Sequence, residues 1–293
     1  MVYTVTFNPA LDCVAFVPEF KTGVINKAES EFYSAGGKGI NVSRMLTTLG
    51  IKNTALGFTA GFIGKYIESE VENSDFIHLK NGCSRINIKI SSESETEINS
   101  RGPDIDQNAL SKLIEKLKVA RKGDYIVLAG SIPPSLSDNT YKNILSEIAN
   151  NGAKIAVDTT GKLLTGVLEY HPFIIKPNHH ELGEIFRCKC DDDNEIIDCA
   201  KQLQNMGARN VIVSRAKKGA ILLDDNGVIH KVTAPNGKVL NSVGAGDSML
   251  AGFIANYIKT NDYEKALRFA VSCGSATAFS IGLASKEFIE SML

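Results

Sequence analysis

One aspartate near the carboxyl end of the chain stands where general-base chemistry is possible. Asp247 follows the small-residue turn Gly244-Ala245-Gly246, and the apolar residues after this turn recur at helical spacing. The turn would therefore lie at the start of a helix, where free N–H groups and a partial positive charge attract anions. A capped helix after a flexible loop would explain Asp247 but not both glycines, so spacing alone leaves both interpretations open.

A second glycine-rich stretch, AGGKGINVSRML, lies near the amino end. Gly36 and Gly37 precede another helical pattern and would let a ligand touch the backbone, while Lys38 and Asn41 offer polar contacts. The spacing is that of neither a P-loop nor the dinucleotide pattern G-x-G-x-x-G, because no Ser or Thr follows Lys38 and the spacer is missing. Alone, the stretch also fits a tight turn with a solvated lysine.

Two clusters contain residue types that can bind metals, but their spacing does not predict a metal site. His179, His180 and Glu181 are adjacent on a predicted helix, so their side chains point in different directions and we expect no zinc site. The tract CKCDDDNE at 188–195 has a Cys-x-Cys pair without a second pair, and it lacks the glycine of an EF-hand. It is interpreted as an acidic loop that caps a helix.

The elements that must position these residues alternate between strands and helices. Short β-branched stretches predict eight strands: VYTVTF, NTALGF, DYIVLAG, AKIAVD, FIIKP, NVIVS, AILLD and GVIHKV. Helical spacing is present in KGINVSRMLTTLG, which Gly50 can end, and in two further stretches that open with Asp106 and Asp138 near the N-cap. This alternation predicts a mainly parallel sheet with helices on both faces.

Residues 13–34 and 83–100 interrupt the alternation, because each stretch consists of short strands without an intervening helix. They are expected to form either an edge hairpin pair or a small β-lid over one end of the main sheet. The sequence contains no repeats and no linker-like stretches, so we expect residues 1–293 to form a single domain.

Composition argues against several partners and compartments. The 293 residues include 32 Lys and Arg against 33 Asp and Glu, so no basic excess calls for nucleic acid. No apolar run approaches the roughly 20 residues of a membrane span, and no signal-peptide pattern is present. Scattered cysteines are typical of free thiols in a reducing cytoplasm: Cys13, Cys83, Cys188, Cys190, Cys199 and Cys273.

Together, AGGKGINVSR and NSVGAGDS resemble the two signatures of the ribokinase-like, PfkB-type carbohydrate kinase family. Other stretches resemble family segments in family order, over nearly the whole chain: NPALD, VLAGSIPPS, DTTG, IKPNHHEL, VIVSRAKKGAILL and GSATAFSIGLA. The resemblance implies an α/β fold, a three-layer α/β/α sandwich with a mainly parallel central sheet and a small β-lid. Within the family, TEINSRGPDI and Lys38 resemble the phosphosugar branch, above all 1-phosphofructokinases, with tagatose-6-phosphate kinases as close relatives.

The resemblance implies that the γ-phosphoryl group of ATP is transferred, with Mg²⁺, to a hydroxyl of fructose 1-phosphate. Asp247 would take the hydroxyl proton, and the turn Gly244-Ala245-Gly246 would surround the moving phosphoryl group with N–H donors. Alternatives that stay open are tagatose 6-phosphate or fructose 6-phosphate as acceptor, and a non-catalytic phosphosugar sensor. A dinucleotide oxidoreductase is disfavoured by the missing fingerprint.

The resemblance also implies two sets of binding residues. Acceptor contacts are implied for Asp12, Lys27, Gly36, Gly37, Lys38, Asn41, Arg85 and Ser131. Nucleotide contacts are implied for Lys176, Asn178, Ser214, Gly219 and Gly246, with Asn178 and Glu181 organising Mg²⁺ through water. The chain departs from the family at Lys27, where relatives often carry arginine, and at Ala216, where a glycine is common. Because the lid strands could pair with a second subunit, we expect a homodimer.

Overall fold

The computed structural model describes residues 1–94 and 96–293, so Glu95, within the second predicted lid stretch, lies outside the described residues. The strands in chain order are β1 (Val2–Thr6), β2 (Ala10–Phe16), β3 (Ser30–Gly36), β4 (Asn53–Ala60), β5 (Ile77–Leu79), β6 (Arg85–Ser91), β7 (Thr96–Asn99), β8 (Tyr125–Ala129), β9 (Lys154–Asp158), β10 (Ile174–Ile175), β11 (Val211–Ser214), β12 (Ala220–Leu223) and β13 (Ile229–Val232). The helices are α1 (Lys38–Thr48), α2 (Gly61–Glu70), α3 (Gln107–Lys118), α4 (Thr140–Ile148), α5 (Gly161–Thr165), α6 (His179–Phe186), α7 (Asp193–Asn205), α8 (Ala245–Thr260), α9 (Tyr263–Ala278) and α10 (Lys286–Glu290).

The main sheet has nine strands in the order β13-β12-β11-β10-β9-β8-β1-β4-β5. The pairs β11–β12 and β12–β13 are antiparallel, and the other neighbours are parallel. All eight predicted strands are present. The sheet also contains β5, whose three residues are too few to show a periodic pattern.

Helices cover both faces of this sheet, which confirms the predicted layers. Along β8, Ile126 and Leu128 pack into one apolar cluster with α3, α4 and α7, while Tyr125, Val127 and Ala129 pack into another with α1, α8 and α9. This alternation follows from the two-residue period of a strand, and it explains why the strand is apolar throughout. No helix in the described part of the chain is both long and apolar enough to span a membrane.

A second, four-stranded sheet has the order β3-β2-β6-β7 and is called the lid sheet below. Strand β2 is antiparallel to β3 and parallel to β6, and β6 is antiparallel to β7. These strands fall largely within the two stretches expected to form a lid, although β2 begins at Ala10 and β3 continues to Gly36.

The predicted helix caps have different outcomes. Asp106 caps α3, because its carboxylate accepts a hydrogen bond of 2.7 Å from the N–H of Ala109. Asp138 does not cap α4, since Asn139 occupies the N-cap without a side-chain bond and Asp138 lies one residue farther out. Gly50, with a φ of +72°, directly follows the last residue of α1 and its C-cap, as predicted.

We expect Asp106→Ala to lower the free energy of unfolding by about 1 kcal/mol, because the Ala109 N–H loses its partner. Urea unfolding measures the change. Asp138→Ala is the matched control, and we expect it to alter the free energy by less than about 0.5 kcal/mol. Equal effects of the two substitutions would contradict the different cap geometries.

Candidate active site

A cleft of about 1110 Å³ opens at the edge of the main sheet where its parallel strands end. The lid sheet contributes Asp12 and Arg85 to the lining. The cleft brings together most of the predicted site residues: Asp12, Gly37, Lys38, Asn41, Arg85, Ser131, Lys176, Asn178, Glu181, Ser214, Gly219, Gly244, Ala245, Gly246 and Asp247. Lys27 and Gly36 are the two predicted residues that do not line it.

Asp247 lies in the first turn of α8, as the spacing predicts. Gly244 is the N-cap residue with a φ of +79°, and a side chain at this position would come within 2.9 Å of Leu283. Among the described residues, the backbone N–H groups of Gly246 and Asp247 have no acceptor. Free N–H donors and the positive end of a helix dipole are the features by which helix starts bind anions.

The carboxyl group of Asp247 is buried and oriented. Asp247 is 6% exposed, and its Oδ2 atom accepts a hydrogen bond of 2.8 Å from Nδ2 of Asn41. Burial, and after it the charge of Asp158, raises the pKa of Asp247 to about 6, while Asn41 and the nearby lysines act in the opposite direction. Such a carboxyl group is ionised at neutral pH and accepts a proton more readily than an ordinary carboxylate, as a general base requires.

Asp158 holds two lysines beside this helix start. Its side chain is 1% exposed; Oδ1 accepts a hydrogen bond of 3.0 Å from Nζ of Lys38, and Oδ2 lies 3.3 Å from Nζ of Lys176. Burial opposes ionisation of Asp158, but Lys176 and Lys38 outweigh it and lower its pKa. Likewise, burial opposes the charge of Lys38, but Asp158 and Asp247 raise its pKa. Two lysine side chains therefore face this helix start.

Lys176 also explains why a small residue occupies position 246. A Cβ added to Gly246 would lie 3.1 Å from Nζ of Lys176, which is tighter than an ordinary contact. The absence of a side chain lets the ammonium group reach the backbone of the first helical turn. The glycine that a capped-helix interpretation leaves unexplained thus has a packing role.

At the end of the cleft beside the lid sheet, Asp12 is fixed by two neighbouring strands. Its Oδ1 accepts a hydrogen bond of 2.9 Å from Nδ2 of Asn87 on β6. A Cβ added to Gly36 on β3 would lie 2.2 Å from Oδ2 of Asp12, so only glycine leaves room for the carboxylate. Gly36 therefore serves the site by making space for Asp12 and not by lining the cleft.

Arg85 is the cation that the lid sheet contributes to the cleft. Its Nε and Nη2 donate hydrogen bonds of 3.1 Å and 2.7 Å to the carbonyl oxygen of Asn8, which orients the guanidinium group. Burial lowers the pKa of Arg85 and Asp12 partly offsets this, but an arginine keeps its charge. Lys27 is exposed on the segment between β2 and β3, so the structure does not bring it to Arg85 within one chain.

At the other end of the cleft, the segment between Ser214 and Gly219 joins β11 to β12. Gly219 has a φ of +83°, and a Cβ there would lie 2.0 Å from the carbonyl oxygen of Val232. Ala216 has a φ of +48°, a conformation that glycine adopts without strain. The chain therefore keeps a turn suited to glycine although it carries alanine. Apolar residues complete this end: Ala234, Pro235, Val243 and Phe279.

Asn178 and Glu181 form a capping box at the start of α6. Oδ1 of Asn178 accepts a hydrogen bond from the Glu181 N–H, and Oε2 of Glu181 accepts one from the Asn178 N–H, both of 2.9 Å. Capping uses one oxygen of the Glu181 carboxylate and leaves Oε1 for the cleft. A single carboxylate oxygen with surrounding water fits Mg²⁺, which usually retains several of its waters.

Asp158 and Asn8 are two of the polar cleft residues that the sequence did not identify as part of the site. Asp158 is the last residue of β9, and Asn8 follows β1 by two residues. Both lie at the carboxyl edge of parallel strands, where ligands bind in open α/β sheets. The signal was available in the sequence, because each polar residue ends or follows a buried apolar strand.

Residues 5–288 match the family described as pfkB family carbohydrate kinase. The chain is 41% identical to the 1-phosphofructokinase of Bacillus subtilis (strain 168), over 100% of this chain and 97% of that protein. It is also 41% identical to the D-tagatose-1-phosphate kinase of Bacillus licheniformis, over 97% of this chain and 94% of that protein.

Among solved structures, phosphofructokinase-2 from Escherichia coli is similar over 99% of this chain and 97% of that chain, at 25% identity. Its complex with fructose-6-phosphate has a TM-score of 0.92, and its tetrameric inhibited form has a TM-score of 0.91.

We expect Asp247→Asn to stabilise the protein at pH 8 by on the order of 3 kcal/mol, because the pKa of Asp247 rises from 3.8 to about 6 on folding. The unfolded chain releases this proton more readily, so the cost of burying the charge appears as the pH rises from 4 to 6. Urea unfolding at pH 8 and pH 4 measures the difference in the free energy of unfolding between the variant and the unchanged protein, with the exposed residue Asp138, changed to Asn, as the control. A gain at pH 4 equal to that at pH 8 would show that the pKa is not raised.

Proposed function

The chain belongs to the pfkB family of carbohydrate kinases, and we propose that it transfers the γ-phosphoryl group of ATP to fructose 1-phosphate, forming fructose 1,6-bisphosphate. One observation carries the reaction type: a buried, oriented carboxylate, Asp247, lies in the same helical turn as two free N–H donors. The choice of acceptor rests on the full-length similarity to a 1-phosphofructokinase.

Asp247 acts as the general base. Asn41 holds Oδ2, which leaves Oδ1 to accept the proton of the acceptor hydroxyl as its oxygen attacks the γ-phosphorus. With a pKa of about 6, the group is ionised at neutral pH and remains basic enough to take this proton. Phosphoryl transfer needs positioning more than covalent help, so one oriented carboxylate is sufficient.

The turn Gly244-Ala245-Gly246 and the two lysines stabilise the charge of the transferred phosphoryl group. The N–H donors of Gly246 and Asp247 approach its oxygens, and Lys176 lies against the same turn. Lys38, which is held in place by its contact with Asp158, adds a second positive charge. Donors held in place before the reaction are the main source of catalysis in such sites.

Mg²⁺ bound to the nucleotide phosphates would neutralise their charge, and Glu181 and Asn178 would hold it through water. Ser214 and Gly219 line the nucleotide end, where the apolar surface formed by Ala234, Pro235, Val243 and Phe279 suits a planar base. Both substrates would then bind in one cleft with the reacting groups at the start of α8.

At the acceptor end, Asp12 and Asn41 contact sugar hydroxyls, while Arg85 and Ser131 bind the phosphate that the sugar already carries. Arginine suits this role because its guanidinium group can contact two phosphate oxygens at once. Lys38 lies between this end and the transfer centre and contributes charge to both. The lid sheet, which supplies Asp12 and Arg85, would exclude water when the acceptor binds.

D-Tagatose 1-phosphate is the second candidate acceptor, because an equally similar relative is named D-tagatose-1-phosphate kinase. The two sugars differ in the configuration of one hydroxyl. Hydrogen bonds to this hydroxyl near Asp12 and Asn41 would decide between the two sugars, since a site that bonds a hydroxyl in one configuration rejects the sugar with the other configuration.

We expect ADP release with Mg²⁺ and ATP to be fastest with fructose 1-phosphate, by at least tenfold in kcat/KM over tagatose 1-phosphate, fructose 6-phosphate and tagatose 6-phosphate. Asp247→Asn should lower kcat by about 10²–10⁴, because the general base is lost. Asp138→Asn, which changes an exposed carboxylate, is the control. For the unchanged enzyme, kcat/KM should fall about tenfold per pH unit below pH 6, where Asp247 becomes protonated.

Other results would revise the proposal in distinct ways. Preference for another phosphosugar, with the same loss in Asp247→Asn, would keep the mechanism and change the acceptor. Full activity in Asp247→Asn would remove Asp247 as the base. Tight phosphosugar binding without turnover would make the protein a sensor.

The lid sheet also supports a homodimer. Tyr33, Ile88 and Ile98 lie in one row across the sheet, because Cys13 on β2 pairs with both Tyr33 and Ile88, and Ile88 pairs with Ile98. Ile86 lies two residues before Ile88, on the same face of the sheet. All four apolar side chains are exposed, and Asp12 and Asn87 lie on the opposite face. A second copy of the chain is the occupant that this face suits, because the similar E. coli enzyme has a tetrameric inhibited form.

We expect light scattering at micromolar concentration to give the mass of a dimer, and the double change Ile88→Glu and Ile98→Glu to give a monomer. Val119→Glu, which replaces an exposed apolar side chain outside the lid, is the control and should leave the dimer intact. A monomeric mass for the unchanged protein would contradict the proposed dimer.

A further inference from the structure

Three cysteine sulfurs meet at the connection between α6 and α7, among residues that do not line the cleft. The Sγ atom of Cys188 lies 3.4 Å from those of both Cys190 and Cys199, and the latter two are 3.8 Å apart. Cys190 and Cys199 are buried, while Cys188 is exposed. The cluster therefore has two ligand atoms inside the protein and one at its surface.

Local backbone geometry brings these sulfurs together. Helix α6 ends at Phe186, its C-cap residue Arg187 has a φ of +55°, and Cys190 has a φ of +52°, so two residues of this short connection have the left-handed backbone conformation. Gly183 permits this close return, because a Cβ there would lie 2.6 Å from the carbonyl oxygen of Cys188. Asp192 then caps α7, which confirms the helix-capping interpretation of the acidic tract and starts the helix that carries Cys199.

We propose that Cys188, Cys190 and Cys199 bind one soft, thiophilic metal ion of the zinc class. Zinc–sulfur bonds of about 2.3 Å at tetrahedral angles place sulfurs about 3.8 Å apart, close to the separations in this cluster. An ion slightly outside the plane of the three sulfurs reaches all of them. Each thiol that binds releases its proton to solvent, and water takes the fourth position on the exposed side of Cys188.

The ligand types decide the class of ion. Thiolates favour soft or borderline metals such as Zn²⁺, whereas Mg²⁺ and Ca²⁺ require oxygen ligands. The site is therefore chemically distinct from the magnesium site proposed beside Glu181. A disulfide would use only two of the sulfurs, and Cys188 is equally distant from its two neighbours, so the arrangement favours three ligands acting together.

The connection that carries the cluster also contacts the nucleotide end of the cleft. Asp193 forms ion pairs with Arg215 and Lys231, and Nζ of Lys218 donates a hydrogen bond of 3.4 Å to the carbonyl oxygen of Asp191. Arg215 and Lys218 flank the part of the chain that lines the cleft at Ala216. A bound ion would therefore stiffen this wall and raise the melting temperature of the protein.

Titration of the reduced, full-length protein with Co²⁺ tests the proposal. We expect one equivalent to bind and to produce thiolate-to-cobalt charge-transfer absorption with the visible bands of a four-coordinate ion, and Zn²⁺ to displace it. Cys188→Ser and Cys199→Ser should each weaken binding at least tenfold. Because Cys188 is exposed, its variant should stay folded even if Cys199→Ser does not. Cys83→Ser, which changes a cysteine outside the cluster, should bind as the unchanged protein does.

Three outcomes would overturn the proposal. In the first, the reduced protein binds no cobalt. In the second, cobalt binds without charge-transfer absorption, as it would with nitrogen ligands such as His179 and His180. In the third, Cys188→Ser binds cobalt as the unchanged protein does. The melting temperature supplies a second measurement: excess Zn²⁺ should raise it for the unchanged protein and for Cys83→Ser, but not for Cys188→Ser. None of these measurements depends on kinase activity, so failure here would leave the proposed reaction intact.

Discussion

The active site depends on one buried carboxylate, that of Asp158, and on the two lysines it holds. A carboxylate at 1% exposure is stable only if cations compensate its lost hydration, and the buried ammonium group of Lys176 needs the carboxylate equally. Asp158 ends β9, Lys38 lies in the first turn of α1, and Lys176 directly follows β10. Their pairing therefore links separate elements at the sheet edge, and it also places the charge that helps to raise the pKa of Asp247.

Close approach of backbone and side chain is the second constraint on this edge. Each glycine-rich stretch meets a polar group from another element: Lys176 lies close to Gly246 in the first turn of α8, and Asp12 packs against Gly36, the last residue of β3. A methyl group at position 36 would displace the Asp12 carboxylate, whereas one at position 246 would require the Lys176 ammonium group to shift by a few tenths of an ångström. The glycines therefore determine shape at the cleft as well as backbone conformation, and this role cannot be read from their spacing.

Much of the fold could be predicted from the sequence because its signals are local. Strands of the main sheet are short runs rich in β-branched residues, and all eight runs predicted from the sequence are strands of that sheet. Strand β5 was missed because three residues show no period. Asp106 and Asp138 look alike in the sequence, yet only Asp106 caps a helix, because the turn before α4 starts the helix one residue later than Asp138 would require.

For the site, the sequence by itself indicated candidate residues: residue type and spacing pointed to Asp247 after its small-residue turn and to the stretch around Lys38, and the family resemblance pointed to the pair Asn178 and Glu181. These predictions were possible because residue type, spacing and helix starts are properties of short segments. Only the tertiary structure decided that Asp158 pairs with both lysines, that Lys27 lies outside the cleft of its own chain, and that Cys199 joins Cys188 and Cys190. The raised pKa of Asp247 likewise depends on burial and on charges from distant parts of the chain, which exist only after the sheet, the helices and the lid sheet have come together.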